Sequence, residues 1–412
     1  MSSDELNTLP EGWELVKFDD LFNITSSKRV HKKDWVSEGV PFYRAREIVK
    51  ISNNGFVDNE LFITKKMFDE FNEKYGSPEE DDILVTGVGT LGICYIVKPN
   101  DKFYFKDGNI IWFKKKVEVE SRYIEYGFQS DYIRNQVYSG GGSTVATYTI
   151  IRAKNTTIPL PSLEEQKRIV AKIDTLFAKI DKAISLTEES LKQAKSLLPS
   201  VLKEVFETMD GVEKYLPNLT KEGRYSIKRG PFGSSLKKQF FVPSGYKVYE
   251  QKHAIKNDFE IGEYFVNEEK FFELKAFELK PRDIIISCSG TIGKIAVAPH
   301  NIIPGIINQA LLKISLNEDE IEIPFFTYWF NNYVNNGSLS TKGAAIKNIV
   351  SVKELKTIPI KVPNLNKQKE ICDKLDRYLQ LSNQTQSKLE GQLAYLKQLK
   401  SSILSKAFKG EL

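Results

Sequence analysis

Hydrophobic side chains recur at steps of three and four over two long stretches of the chain. The first stretch runs from Ile169 to Val205 and the second from Ile371 to Ala407. This period is typical of the apolar seam of a coiled coil and not of a strand. Because each stretch carries a single apolar stripe over about 40 residues, it needs a partner, and the nearest candidate is the other stretch. The pattern predicts two long helices packed as an antiparallel pair.

The positions predicted to form the contact between these helices are aliphatic. They are Ile169, Ile173, Ile180, Ile184, Leu191 and Leu198 in the first helix, and Ile371, Leu375, Leu389, Leu393, Leu396 and Ile403 in the second. Ser382, Gln386 and Lys400 occupy the other positions of the second seam, which is therefore more polar. Pro199 predicts a kink or a local break near the end of the first helix, because proline lacks the amide hydrogen that a helix interior uses.

The sequence outside the helices consists of short runs of Phe, Tyr, Ile and Val broken by Gly, Pro and Asn, which indicates mostly strands with some helix. Strands are expected at Ile93–Val97 and Ile295–Val297, and short buried helices at Tyr123–Phe128 and Phe325–Phe330. The predicted fold is therefore α+β, with two globular mixed domains separated by the helices. The predicted segments are globular residues 1–160, helical residues 161–211, globular residues 212–362 and helical residues 363–412.

Two sets of short motifs show that the chain is an internal duplication. The residues Asp82–Val85 and the turn Gly89–Gly92 return 201 residues later, as Asp283–Ile286 and Gly290–Gly293. Similarly, a Pro-x-Leu-x-x-Gln-Lys sequence precedes or opens both helices, at residues 161–167 and 363–369. An internal repeat of this length predicts two equivalent halves related by a pseudo-twofold axis.

Composition and charge add little to this organisation. Hydrophobic residues make up 41% and charged residues 27% of the chain, as in folded globular proteins. No apolar run reaches the 18 residues of a membrane span, and the chain does not begin like a signal peptide, so we expect a cytoplasmic protein without a membrane partner. Cys94, Cys288 and Cys372 are far apart and are expected to be buried apolar residues. The net charge is +5, and each local basic cluster, taken alone, fits a solvated loop better than a binding site.

Residues Gly87–Gly92 match the GxGxxG pattern of dinucleotide-binding loops. Such a loop must open a helix, whereas this one leads into the strand-like run Ile93–Val97, and Cys288 replaces Gly87 in the repeat. We therefore predict a turn between strands. The chain also lacks a P-loop and the Asn-Pro-Pro-Tyr segment of amino-methyltransferases, and its three histidines are scattered. Accordingly, we predict no catalytic residue, no metal site and no cofactor in this chain.

The repeated motifs resemble those of one known family over essentially the full length. They are Leu9-Pro10-Glu11-Gly12-Trp13, Gly230-Pro231-Phe232-Gly233-Ser234-Ser235, Ser289-Gly290-Thr291-Ile292-Gly293, the stretch Ile158–Gln166, and the terminal Ile403–Leu412. With this layout, the chain resembles the DNA-specificity subunits of type I restriction–modification systems, the HsdS family. It departs from the family pattern at Val88, where a serine is expected, and around Pro363–Gln368.

The resemblance implies a non-catalytic protein that reads DNA. Each globular domain would be a target-recognition domain for one half of a bipartite, gapped site in double-stranded DNA, and the helices would dock two modification (methyltransferase) subunits. Restriction (motor and nuclease) subunits would join the assembled complex. S-adenosylmethionine and ATP would be bound by these partners and not by this chain.

The resemblance also gives a set of DNA-binding candidates, each of which has the alternative of being a surface residue without a DNA contact. Candidates for phosphate contacts are Lys28, Arg29, Lys32, Lys33, Lys228, Arg229, Ser234, Ser235, Lys237 and Lys238. Candidates for base contacts are Arg44, Arg46, Gln251, Lys252 and His253. The later Gly/Ser/Thr-rich loops add Thr144, Lys342 and Lys347. A competing interpretation is a coiled-coil scaffold or adaptor that binds other proteins through its globular ends.

Overall fold

The computed structural model describes residues 9–139, 146–336 and 352–412, and the side chains of Gly233 and Ser234 lie outside the description. The chain forms two compact units, which divide it between Glu188 and Glu189 and between Glu390 and Gly391. Each unit contains one globular region, residues 9–160 or 212–362, together with parts of both long helices. The two globular regions are called the first and the second region below.

The first region combines small sheets with short helices. Its strands are β1 (Glu14–Lys17), β2 (Phe22–Thr25), β3 (Val40–Tyr43), β4 (Phe62–Ile63), β5 (Ile83–Thr86), β6 (Cys94–Ile96), β7 (Tyr104–Phe105), β8 (Ile110–Lys115) and β9 (Thr157–Leu160). Its helices are α1 (Phe18–Leu21), α2 (Ala45–Asn54), α3 (Lys65–Tyr75), α4 (Ser121–Gln129), α5 (Asp131–Tyr138) and α6 (Ile150–Asn155). The strand orders are β2-β8-β5-β6, β4-β3-β7 and β1-β9.

The long helix α7 (Leu163–Thr208) leads into the second region, which repeats this arrangement. Its strands are β10 (Val212–Tyr215), β11 (Ile227–Arg229), β12 (Phe241–Val242), β13 (Tyr246–Tyr249), β14 (Phe265–Val266), β15 (Glu278–Leu279), β16 (Ile284–Ser287), β17 (Ile295–Val297), β18 (Gly305–Ile307), β19 (Leu311–Ile314) and β20 (Pro359–Val362). Its helices are α8 (Gln251–Lys256), α9 (Glu268–Glu273), α10 (Ile323–Asn335) and α11 (Val352–Leu355), and α12 (Leu365–Ala407) ends the chain. The orders β11-β19-β16-β17, β12-β14-β13-β18-β15 and β10-β20 confirm the duplication and the mixed α+β class.

The GxGxxG segment is a turn between antiparallel strands, as predicted. The Thr86 hydroxyl accepts the Ile93 amide hydrogen at 3.0 Å and donates to the Thr90 carbonyl at 2.5 Å, which closes the turn between β5 and β6. Ser287 does the same between β16 and β17, with the Lys294 amide at 2.9 Å and the Thr291 carbonyl at 2.6 Å. Because each turn leads directly into the next strand, no helix begins here whose N-terminus could bind a phosphate.

The strands that enter and leave each region are paired with each other. β1 pairs antiparallel with β9, and β10 pairs antiparallel with β20, immediately before α7 and α12 begin. A serine caps the first helix, since Ser162 Oγ accepts the Glu165 amide hydrogen, and Asn364 Oδ1 does so for Lys367 in the second. The departure from the family pattern near Pro363 therefore keeps a capping residue.

A buried glutamine then ties each helix to its globular region. Gln166 Oε1 accepts the Glu120 amide hydrogen at 3.0 Å, and its Nε2 donates to the Pro161 carbonyl at 2.9 Å. Gln368 makes the same two bonds, to Glu322 at 2.8 Å and to Pro363 at 2.9 Å. Both side chains are buried, so these bonds satisfy side-chain amide groups that would otherwise be buried without partners.

The long helices run antiparallel within each unit, as predicted. In the first unit the Arg168 guanidinium donates to the Leu412 carbonyl, and further along α7 the Asp181 carboxylate pairs with Lys400. In the second unit the Ser382 hydroxyl donates to the Ala194 carbonyl at 2.9 Å. Polar residues at the seam of α12 therefore contact α7. Ser382 is buried, and Lys400 also lies 4.7 Å from the centre of the Phe177 ring.

The predicted seam positions differ in burial. The buried ones are Ile169, Ile173, Ile180, Ile371, Leu375 and Ile403, which belong to the hydrophobic cores of the two units. The half-buried ones are Ile184, Leu191, Leu198, Leu389, Leu393 and Leu396. Core packing is therefore strongest near the globular regions.

The predicted break at Pro199 is absent, because α7 continues through this residue to Thr208. Proline costs a helix interior about 3 kcal/mol. Leu198 and Leu202 on either side pack against the core of the second unit, while Pro199 faces solvent. The apolar contacts hold the helix, and the carbonyl that loses its donor lies on the hydrated side.

Candidate nucleic-acid interface

In the first region, the ends of two parallel strands bring separate polar segments together. β3 and β7 run parallel, and Arg44 and Lys106 follow their carboxyl ends. The Lys106 amide donates to the Tyr43 carbonyl at 2.8 Å, and the Ser27 hydroxyl donates to the Phe105 carbonyl at 2.6 Å. The basic loop after β2 thus lies at the same edge as the start of α2. We call Ser27–Arg29, Arg44 and Lys106–Asn109 the first strand-end surface.

The second region forms the same arrangement from β13 and β18, which are also parallel. The Asn308 amide donates to the Tyr249 carbonyl at 2.9 Å, so the residues after β18 lie beside the start of α8. A Cβ on Gly230 would lie 1.8 Å from the Asn308 oxygen, which shows how closely the loop after β11 approaches. We call Arg229–Phe232, Gln251 and Asn308–Gln309 the second strand-end surface.

The turn after β16 lies against the second strand-end surface. The amide atoms of Gln251 lie 3.6 Å from the position that a Cβ on Gly290 would occupy. Burial raises the pKa of the neighbouring Cys288 to about 11, although Arg229 opposes the shift. Because the thiol of Cys288 stays protonated and uncharged, it does not neutralise the positive charge of Arg229.

Lys28 and Arg29 are the exposed basic side chains of the first strand-end surface. Lys28 Nζ lies 5.3 Å from the centre of the Tyr75 ring, and its amide donates to the Tyr104 hydroxyl at 3.0 Å. The Arg29 side chain is 70% exposed and pairs with Asp107 at 3.0 Å. Lys32 and Lys33 follow on an exposed 3-10 helix. An exposed pair of this kind contributes little to stability, so Arg29 can exchange Asp107 for a phosphate at small cost.

Arg44 and Arg46, predicted to contact bases, both bind a buried carboxylate. Arg44 donates to Glu47 through Nε at 3.0 Å and Nη2 at 2.9 Å, and Arg46 also binds Glu47 and Glu60. Burial alone would raise the pKa of Glu47, but the hydrogen bonds from the two arginines outweigh it and hold that pKa below its ordinary value. The carboxylate therefore stays charged and fixes both guanidinium groups.

Lys228 and Arg229 were both predicted to contact phosphates, and the structure places them in the strand β11 and not on a loop. Successive side chains of a strand point to opposite faces, so the two do not form one cluster. Lys228 Nζ lies near the rings of Tyr225 and Phe277, at 5.4 and 5.1 Å. Arg229 donates to the Gln309 carbonyl and lies 5.4 Å from the centre of the Phe232 ring. Arg229 therefore belongs to the strand-end surface and Lys228 to the other face.

The predicted base-contacting set Gln251, Lys252 and His253 is also divided. Gln251 faces the turn at Gly290, and Lys252 pairs with Glu250 at 2.7 Å. His253 is fully buried: its Nδ1 accepts the Glu250 amide hydrogen at 2.8 Å, and its Nε2 donates to the Ile261 carbonyl at 2.7 Å. Both nitrogens are used within the domain, so His253 positions α8 instead of facing a ligand.

The remaining candidates lie apart or outside the description. Lys237 and Lys238 are exposed and Ser235 is half-buried, on the short 3-10 turns that follow the Phe232 loop. Thr144, Lys342 and Lys347 lie outside the described residues, as does the side chain of Ser234.

The strand-end surfaces also include polar residues that the sequence did not single out. Lys106 and Asn109 follow β7, and the exposed Gln309 follows β18. The available signal was positional, because residues after the carboxyl end of a buried parallel strand commonly form binding sites. These strands contain only a few residues each, and their parallel pairing cannot be inferred from so short a pattern.

Among the described residues, no group of three or more His, Cys, Asp or Glu side chains is arranged to hold a metal ion. No helix in these ranges has the length and apolar character needed to cross a membrane.

Comparison with known proteins places this arrangement in a family. The family profile described as "type I restriction modification DNA specificity domain" matches the chain twice, over residues 10–193 and 202–391. The type I restriction enzyme EcoBI specificity subunit of Escherichia coli is 24% identical over 99% of this chain and 88% of its own length. The EcoKI specificity subunit of E. coli K12 is 22% identical over 98% and 90%.

Solved structures show the same fold. A chain from work on complex assembly and conformational transition of the type I R-M system has a TM-score of 0.76 and 22% identity, over 98% of this chain and 100% of that one. The HsdS subunit from Thermoanaerobacter tengcongensis has a TM-score of 0.63, also at 22% identity, over 98% of both chains. Because the family profile covers nearly the whole sequence, the chain belongs to the family of type I restriction–modification DNA specificity proteins.

Proposed function

We propose that each globular region reads one half of a gapped site in double-stranded DNA through its strand-end surface. One observation carries the proposal: in both regions, cationic side chains and planar polar groups from separate segments meet at the carboxyl ends of two parallel strands. Phosphate contacts from lysine and arginine supply salt-dependent affinity, and planar amides and guanidinium groups discriminate bases.

The two surfaces differ in the groups that they offer to bases. The first offers Arg44 and Asn109, and the second offers Gln251 and Gln309. Arginine pairs with guanine and glutamine or asparagine with adenine, through two hydrogen bonds each. The halves of the DNA site therefore differ in sequence. Lys28 and Arg29 in the first region and Arg229 in the second bind the adjacent phosphates.

The helices α7 and α12 dock two modification subunits. The support is the equivalence of the two helix starts, each with its capping residue and its buried glutamine, since a pair of identical subunits needs two equivalent surfaces. The methyltransferase partners bring S-adenosylmethionine, and restriction subunits that join them bring ATP. The chain itself contributes recognition and positioning.

Mapping of modified bases tests this function. The full chain is co-expressed with its methyltransferase subunit in a host lacking other adenine and cytosine methylation, and modified positions are found by single-molecule sequencing. We expect one motif made of two defined parts with an undefined gap. An unbroken motif, or no modification with a catalytically competent partner, contradicts the proposal.

A pair of charge variants tests the surface itself. Arg229→Glu in the assembled complex is expected to weaken DNA binding about tenfold. It should also reduce the slope of log affinity against log salt concentration by about one. Lys361→Glu, an equal charge change on exposed β20, is the matched control and should leave affinity unchanged. Equal effects of the two variants would show that overall charge, and not this surface, determines binding.

A further inference from the structure

Phe232 is an exposed aromatic side chain on the second strand-end surface. It lies on the loop that follows β11 and is 66% exposed. The Arg229 guanidinium carbon lies 5.4 Å from the centre of its ring. Single exposed apolar residues are common on protein surfaces, so exposure alone says nothing about function. The evidence for a function comes from the surrounding loop, which fixes the direction of the ring.

The loop holds Phe232 outward by contacts on both sides of it. Gly230 is bonded to the Leu311 carbonyl at 2.9 Å and lies so close to Asn308 that no side chain fits there. Pro231 is buried, and Leu236, after the loop, packs in a core cluster with Val248 and Phe271. The backbone around Phe232 therefore cannot turn the ring inward without breaking this packing.

We propose that Phe232 is a wedge that inserts against a base step in the half-site read by the second region, with Arg229 on the neighbouring phosphate. The inference rests on the function proposed above and adds a stacking contact to it. Proteins that open a base step use rigidly held apolar side chains, and an aromatic ring can stack on any base. A cation beside the ring suits this geometry, because phosphates flank every step.

The first region has a different residue at the same position. Ile24 pairs with Phe113, and Ile227 pairs with Ile314, 201 residues after Phe113. Five residues further along each chain segment stand Arg29 and Phe232, so a charge in the first region replaces the ring of the second. The wedge is therefore expected in one half-site only.

The test uses the full chain assembled with its methyltransferase subunits and duplexes carrying the mapped motif, with 2-aminopurine at successive positions. The methylated positions themselves are left unlabelled, because methyltransferase subunits extrude their target base. At the other positions we expect a rise in fluorescence at one step of the second half-site on binding, and no rise in the first. Phe232→Ala should abolish that rise and weaken binding roughly 5- to 150-fold, while Phe232→Trp should retain both.

Phe272→Ala is the matched control. This phenylalanine is 56% exposed in the same region and also lies near a lysine, Lys275, but its helix carries Glu268, Glu269 and Glu273, which repel phosphates. Phe272→Ala should change neither the fluorescence rise nor the affinity for DNA. If Arg229→Glu weakens binding but Phe232→Ala does not, the wedge is wrong and the DNA-reading surface stands. If no methylated motif exists or neither variant affects binding, the proposed function fails and the wedge fails with it.

Discussion

Glu47 and His253 occupy the same place in the two regions, as the third residue of the helix that follows a parallel strand and bears candidate base-reading residues. Both are buried and both bond to the amide that begins their helix. Glu47 is charged and binds two arginines, whereas burial lowers the pKa of His253 and keeps it neutral between two backbone groups. The backbone arrangement is the same in both regions, but a different buried polar side chain occupies this position.

A second pair of positions shows the same replacement. Asp82 and Asp283 both follow a left-handed residue and precede a core strand. Asp82 accepts the Trp112 indole hydrogen at 2.7 Å, whereas Asp283 accepts the Ser315 hydroxyl and faces the buried ammonium of Lys313 at 3.8 Å. Duplicated regions can thus exchange neutral for charged partners in the core while the backbone bonds persist.

The largest expected effect tests the shared backbone arrangement. Gln166→Leu and Gln368→Leu each leave a buried amide hydrogen and a buried carbonyl without partners, so each should lower the free energy of unfolding of its own unit by about 2 to 4 kcal/mol. Hydrogen–deuterium exchange resolved by peptide measures this for both units at once. Gln193→Ala on the exposed side of α7 is the control. Unchanged protection near Glu120 or Glu322 would contradict the equivalence.

A smaller effect should distinguish the loops of the two strand-end surfaces. Gly230→Ser forces a side chain into the Asn308 carbonyl and should cost about 1 to 3 kcal/mol, together with DNA binding by the second region. The reciprocal change, Ser27→Gly, removes one hydrogen bond and should cost about 1 kcal/mol. Urea unfolding and DNA affinity of both variants check this. If Gly230→Ser is tolerated as well as Ser27→Gly, the loop is not held as the structure describes.

The smallest effect is a difference in acid sensitivity. Below the ordinary pKa of histidine, 6.5, the unfolded chain binds a proton that folded His253 resists, so the second region loses stability as pH falls below 6.5. Glu47 has a lowered pKa, so its contribution is present above 4.5 and is lost only as pH falls below that value. One proton changes stability by at most about 1.4 kcal/mol per pH unit.

Exchange protection measured over a pH series, corrected for intrinsic exchange rates, compares the two regions. The second region should weaken first, and His253→Gln should remove that dependence. Simultaneous weakening of both regions, or an unchanged profile in His253→Gln, would show that other groups control the acid response.

Much of the fold follows from the sequence because its signals are periodic or repeated. The seams from Ile169 and Ile371 give two helices, and the offset between Gly89–Gly92 and Gly290–Gly293 gives the duplication and the turns. The sequence predicted a kink or a local break at Pro199, and the break is wrong because α7 is continuous there. A local penalty was visible in the sequence, but the core contacts of Leu198 and Leu202 that outweigh it were not.

The candidate site was predicted as separate pieces. Basic loops and helix starts were recognisable, but their meeting depends on the short parallel pairs β3–β7 and β13–β18, which carry no local pattern. For the same reason Lys228 and Arg229 were predicted as one basic cluster, although the strand places their side chains on opposite faces. His253 was predicted to contact bases, although it is fully buried. Whether each side chain contacts DNA stays a prediction.

The pairing of β10 with β20 has a consequence for how such proteins diversify. Val212 lies opposite Val362, so the backbone enters and leaves the second region at one place, as it does at Glu14 and Leu160 in the first. A segment with adjoining ends can be cut out and another inserted by two genetic crossovers, without any change in the length or phase of the helices. Each region can in this sense be exchanged as a unit while both long helices stay unchanged.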